Sequence, residues 1–94
     1  MSYAVEFTEL AEEKLQRLVE SLPKTRRAAA VQGVAEALEV LASNPRLAPR
    51  VHLGRPTYRF SFRAGGTTYH WAATYYLSED ETGLIITEIY RIKL

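Results

Sequence analysis

Thr57-Tyr58-Arg59-Phe60-Ser61-Phe62-Arg63, then Ala64-Gly65-Gly66, then Thr67-Thr68-Tyr69-His70-Trp71 is the stretch whose reading decides the fold. Successive side chains of a β-strand point to opposite faces. Tyr58, Phe60 and Phe62 therefore share one side, and Arg59, Ser61 and Arg63 the other. Glycine supplies the positive φ that a tight turn requires, so the two halves form a hairpin around Gly65-Gly66. One face of that hairpin is core and the other is a basic, hydrogen-bonding surface. With Tyr69 and Trp71 in the core, His70 falls on the Arg59 side. The second strand extends through Tyr75-Tyr76-Leu77.

Upstream, Tyr3, Val5 and Phe7 alternate with Ala4 and Glu6, which reads as a short strand with one buried face. Thr8 stands at a helix N-cap, followed by Glu9, Glu12 and Glu13 near the positive end of the helix dipole. Ala11, Leu15, Leu18 and Leu22 recur every three or four residues, and Val19 broadens the stripe. Pro23 closes this helix. A second runs from near Thr25 to about Ser43, with Val31, Val34, Leu38 and Leu41 expected on its buried face and many alanines to let it pack closely. Asn44-Pro45 stops it, because proline disfavours helical geometry in the residue before it. Residues 45–56, with Pro45, Pro49, Gly54 and Pro56, read as an irregular connection.

Downstream, residues 78–83 form a polar turn and Leu84 to Ile92 a final strand. Leu84, Ile86 and Ile89 break the period of two, which implies a β-bulge. The order strand, helix, helix, three strands gives an α+β, two-layer fold: two N-terminal helices on one face of a mostly antiparallel sheet.

The chain has 94 residues, the size of one domain spanning 1–94. Such a chain buries about 60–68% of its unfolded surface, enough to fold alone. There is no cysteine, which excludes disulfides, thiolate metal sites and a cysteine nucleophile. No signal-peptide run or membrane-length apolar segment occurs, so the expected location is cytoplasmic, with no membrane partner. The net charge of +1 conceals an asymmetry. Residues 1–44 carry seven acids and five bases, whereas residues 45–94 carry four acids and seven bases. No acid occurs between Asn44 and Ser78, while Arg46, Arg50, Arg55, Arg59, Arg63, His52 and His70 all do. A field of that sign favours a polyanion or an acidic protein, although spaced arginines also serve simply to solvate a surface.

The ordered set resembles the RelE/ParE superfamily of toxins from type II toxin–antitoxin pairs. Tyr3-Ala4-Val5-Glu6-Phe7-Thr8 with Ala11 and Leu15 is similar to the family's first strand and helix. Residues 38–45 resemble the end of its second helix, and residues 58–63 with Tyr69 its central hairpin. Leu84, Ile86 and Ile89 ahead of Arg91 resemble its last strand. The resemblance implies a compact toxin neutralised by a cognate antitoxin that wraps it with a helix or strand. RelE-like members cut messenger RNA within the ribosome; ParE-like members bind DNA gyrase. The first chemistry transfers a ribose 2′-hydroxyl onto the adjacent phosphate. It needs a group to polarise that hydroxyl, cations for the phosphorane and a donor for the leaving 5′-oxygen. It calls for no metal or other cofactor.

Carried over position by position, Arg59 is the phosphate contact and Arg63 a further phosphate ligand at the strand end. Ser61 stands where a second basic residue is wanted. His70 replaces the family's arginine after Tyr69, and Arg91 falls near its C-terminal basic position. The implied catalytic set is Arg59, His70 and Arg91, with Arg59 and Arg63 binding substrate; Tyr90 is the only late tyrosine that can stand in for the family's aromatic tail. The residues also admit plainer roles. Arg63 precedes a turn where long polar side chains are common, and Glu88 suits pairing with a neighbouring arginine. Arg26 and Arg27 suit an ordinary solvated helix face. Two functional expectations follow: a metal-independent, ribosome-dependent mRNA endoribonuclease, or a ParE-like or non-toxic relative that acts by binding alone.

Overall fold

The computed structural model describes residues 2–47, 50–52 and 54–93, of which 47 and 50–52 are described by backbone alone. Strand β1 (Ala4–Phe7) leads into helix α1 (Glu9–Glu20), then helix α2 (Lys24–Ser43) and a 3-10 turn (Pro45–Leu47). Strands β2 (Arg50–His52), β3 (Arg55–Ala64), β4 (Thr67–Leu77) and β5 (Gly83–Arg91) complete the chain. They form one sheet in the order β1-β5-β4-β3-β2. The first and last strands pair in parallel and every other neighbour is antiparallel. Among the described residues no helix is long and apolar enough to cross a membrane.

The helix ends follow from their cap residues. Thr8 Oγ1 accepts the amide of Ala11 at 3.2 Å, satisfying one of the unpaired donors of the first turn of α1. The Thr8 amide itself reaches Ile86 O at 3.0 Å, so the cap also ends the β1 ladder. At the other end of α1, Arg27 donates from Nε to Leu22 O (3.0 Å) and from Nη2 to Glu20 O (2.8 Å), covering the last carbonyls. Arg26 donates from Nη1 to Thr67 Oγ1 (3.1 Å) and Tyr69 Oη (2.8 Å), tying α2 to β4. Neither arginine is an idle solvated side chain: Arg27 fastens the corner between the helices and Arg26 fastens α2 to the sheet.

Helix α2 buries Ala30, Val34, Ala37, Leu38, Leu41 and Ala42. Val31 differs from the expectation, being 54% exposed. The stripe that meets the sheet begins at Ala30, and Val31 is turned toward α1, where it lines a shallow hollow with Leu15 and Val19. The alanine side brings the helix so near β3 that a Cβ on Gly33 would lie 2.5 Å from Phe62 Cβ. Phe62 in turn stacks on Tyr69 (5.4 Å between centroids) and meets Trp71 edge-on (4.8 Å). Trp71, Tyr75, Leu41, Leu84, Ile86 and Ile89 are the largest fully enclosed side chains. Each such side chain contributes about 1.5–3 kcal/mol by leaving water.

The hairpin turns through Gly65 and Gly66 at φ +59 and +79, the two positive values that a two-residue type I′ connection uses. In β5 the register passes from Thr74↔Glu88 to Tyr75↔Ile86, leaving Thr87 as the extra residue of the bulge. Thr87 Oγ1 donates to Thr74 O at 3.1 Å. The connection over 45–56 is more ordered than its prolines suggest. It holds the 3-10 turn, whose Pro45 carbonyl accepts the Tyr75 hydroxyl, and the short strand β2. Pro56 is tolerated because it lies near the start of β3, facing a three-residue edge strand. Pro49 and the side chains of Arg50 and His52, part of the basic stretch, lie outside the described set.

Candidate nucleic-acid interface

Opposed residues of neighbouring strands share a face, so the register fixes which side chains stand together away from the helices. The outer face carries successive rows. Arg63 opposes Thr68 near the hairpin turn. Ser61 opposes His70, and Ile92 continues that row through its amide, which donates to His70 O at 2.8 Å. Arg59 opposes Ala72, which opposes Tyr90. Thr57 opposes Thr74, which opposes Glu88. Ala72 is fully buried even on this face, and so is the Thr74 hydroxyl, which has no hydrogen-bond partner.

Arg59, Ser61 and His70 thus converge as the sequence requires. With Phe60 and Ile92 they line a shallow hollow of about 250 Å³, in which Arg59 and Ser61 are exposed and His70 is partly covered. His70 and Ile92 also border a second hollow of about 540 Å³, with Arg91 and Lys93 on its far side. Arg63 stands apart: its Nη2 donates to Gly66 O at 3.2 Å and its side chain borders the groove beside α2. Arg91 opposes Trp71, so it leaves the strand toward the helix side and joins His70 only across the end of the sheet. Tyr90, by its register, belongs to the Arg59 row. The signal was in the sequence: counting through the bulge after Ile86 places Ile89 in the core and Tyr90 opposite to it.

The electrostatics favour an anion. Among the described residues the only ion pair joins Lys14 Nζ to Glu88 Oε1 at 3.1 Å, so Glu88 serves a lysine and not an arginine. Arg59, Arg63 and Arg91 face no carboxylate there. No three His, Asp or Glu side chains among the described residues come together in the way a metal ion needs. Guanidinium groups bind phosphate oxygens through paired N–H donors. Histidine is the residue type that exchanges protons nearest neutral pH. With a serine and a tyrosine hydroxyl beside them, the face offers cation, proton carrier and hydrogen-bonding groups within adjacent rows.

No family model and no curated protein matches the sequence. Solved structures do match the backbone. A mutant E. coli toxin RelE in the free state shares 17% identity over 97% of this chain and 84% of that one, with a TM-score of 0.58. The toxin–antitoxin complex RelBE2 from Mycobacterium tuberculosis gives 23% identity over 98% and 100%, with a TM-score of 0.60. The archaeal RelE–RelB complex from Pyrococcus horikoshii gives 18% over 97% and 96%, with a TM-score of 0.51. What is shared at such low identity is the path of the backbone, and in that path the chain has the fold of the RelE toxins.

Proposed function

We propose that this chain is the toxin of a toxin–antitoxin pair and cleaves messenger RNA on the ribosome. The observation that carries this reading is the outer-face cluster of Arg59, Ser61, His70 and Tyr90, set on rigid strands with no acid opposing the arginine. In the proposed reaction the 2′-oxygen attacks the neighbouring phosphorus as its proton is drawn away. The O2′–P bond forms, the P–O5′ bond breaks, and the departing 5′-oxygen takes a proton. Arg59 holds the charge that builds on the non-bridging oxygens. His70 exchanges the proton, and the Tyr90 and Ser61 hydroxyls orient the ribose and phosphate. The products are a 2′,3′-cyclic phosphate and a free 5′-hydroxyl, which balances the step without a further reactant.

The partner in this proposal is an antitoxin, as in the RelB complexes of the structural neighbours. Two features of the chain support it. Strand β2 pairs with β3 only at Arg55, Pro56 and Thr57, so the edge of β3 beyond them is unpaired among the described residues. Beside that edge a groove of about 490 Å³ runs between Ala29, Gly33 and Ala37 on α2 and Tyr58, Phe60 and Phe62 on β3. An extended or amphipathic segment fits such a site.

A binding-only, gyrase-directed toxin is the second reading. It is favoured by the exposed Ser61 opposite His70, where a nuclease would gain from another cation. Induction in a bacterial host, with growth followed beside primer extension on a translated message, decides between them. Growth arrest with discrete cuts in translated RNA supports the nuclease. Arrest with intact RNA turns the assignment to gyrase, and unimpaired growth removes both.

A further inference from the structure

A third hollow, of about 300 Å³, lies around the end of the sheet between α1 and β5. Leu18 gives it an apolar floor above the enclosed Ile89, and Lys14, Arg17, Tyr90 and Arg91 surround it. Lys14 is engaged by Glu88, which leaves two guanidinium groups, Arg17 and Arg91, with no carboxylate among the described residues. Arg17 occupies the last turn of α1, where a cation offsets the helix dipole. That accounts for a basic residue on the helix; it does not account for Arg91 bordering the same hollow from the strand.

The three hollows are linked through their walls. His70 and Ile92 are common to the first and second, and Arg91 to the second and third. Arg59, His70, Lys93, Arg91 and Arg17 therefore mark one track from the middle of the outer face, around the end of β5, to the side of α1.

We infer that this track is the path of single-stranded RNA: the strand that reacts at Arg59 and His70 continues around Arg91, and Arg17 with Arg91 holds a flanking phosphate while a base rests on Leu18. This extends the ribonuclease reading above and rests on it. The ligand class follows from the chemistry. Unpaired cations spaced along a groove match the repeating charge of a phosphodiester chain, and an apolar floor between them accepts a base. The assignment gives Arg17 a substrate-positioning role.

The test uses 2′-O-methyl RNA, which cannot undergo the transfer, as a dinucleotide and as an octanucleotide. Binding to the folded full chain is titrated at several salt concentrations. For the octanucleotide, Arg17→Ala is expected to weaken binding about fivefold and to reduce the slope of log affinity against log salt by about 0.7, one phosphate contact on a single strand. The dinucleotide should bind the variant as it binds the parent, and Arg17→Lys should restore most of the slope. The inference falls if Arg17→Ala and Arg91→Ala bind the octanucleotide like the parent while Arg59→Ala weakens both lengths; the strand then ends on the outer face and the nuclease reading stands. It also falls if Arg17→Ala weakens both lengths equally. If Arg59→Ala too leaves both unchanged, the ribonuclease reading fails with it.

Discussion

Gly33 shows how one missing side chain sets the distance between the two layers. Its hypothetical Cβ would lie 2.5 Å from Phe62 Cβ and 2.7 Å from Phe62 Cγ, and Phe62 is itself fixed between Tyr69 and Trp71. Alanine is a better helix former than glycine by about 1 kcal/mol. Overpacking a filled core costs about 1–3 kcal/mol, and here the clash is with a Cβ close to the backbone. Gly33→Ala is therefore expected to lower stability by about 1 kcal/mol or more in urea titration; an unchanged or raised midpoint would show that the helix moves away freely. On the opposite face, Arg59 and His70 are exposed or partly covered, so replacing them should leave the fold intact. Arg59→Ala and His70→Ala should each lose at least about tenfold in ribosomal cleavage, about 1.4 kcal/mol of barrier. Two folded variants with full toxicity would end the catalytic assignment.

Tyr75 joins an element of the sheet to the connection that the prolines made unreadable. Burial pushes its phenol above the ordinary tyrosine value, since the phenolate would be stranded away from water. Its hydroxyl donates to Pro45 O and holds the 3-10 turn. Tyr75→Phe should cost about 1 kcal/mol at neutral pH, because an enclosed carbonyl loses its donor. The sign with pH follows from the raised value. The tyrosine's contribution is complete below the unfolded-state value, about 10, and is lost as pH rises through the folded one. Thermal melts should therefore show the gap between parent and variant closing above pH 10, and a constant gap would refute the link. Helices, hairpin and bulge were legible because each is written in local periodicity: Thr8 as cap, Gly65-Gly66 as turn, the broken alternation at Ile86 and Ile89. Strand β2 was not, because three residues beside Pro49 and Pro56 carry no period and owe their conformation to β3. Val31 misled for a related reason. Apolar spacing identifies a stripe, but only the packed layers decide which of two adjacent stripes meets the sheet and which faces the other helix.

Across the whole molecule, β4 lies at the centre of the sheet and β3 ends in an open edge. Amides of β4, paired on both sides, should exchange with deuterium slowest. Outward amides between Tyr58 and Ala64 should exchange fast in the free chain and slow by at least about tenfold when an antitoxin is bound. Protection appearing elsewhere would move the docking site. The candidate site was legible as far as strand parity reaches, which brought Arg59, Ser61 and His70 together. Parity could not place Arg91, because it leaves the sheet at its end, nor could it join Arg17 to the same surface from a helix more than seventy residues earlier. The parallel pairing of β1 with β5, Ala4↔Gly83 to Phe7↔Ile86, has a further consequence for synthesis. β5 is translated after the other four strands, and it is the one on which β1 and α1 close. Until β5 has emerged, β1 lacks its sheet neighbour and the face of α1 that packs there has nothing to cover it. The sheet is completed only once β5 is available, so the first strand made is among the last to be paired.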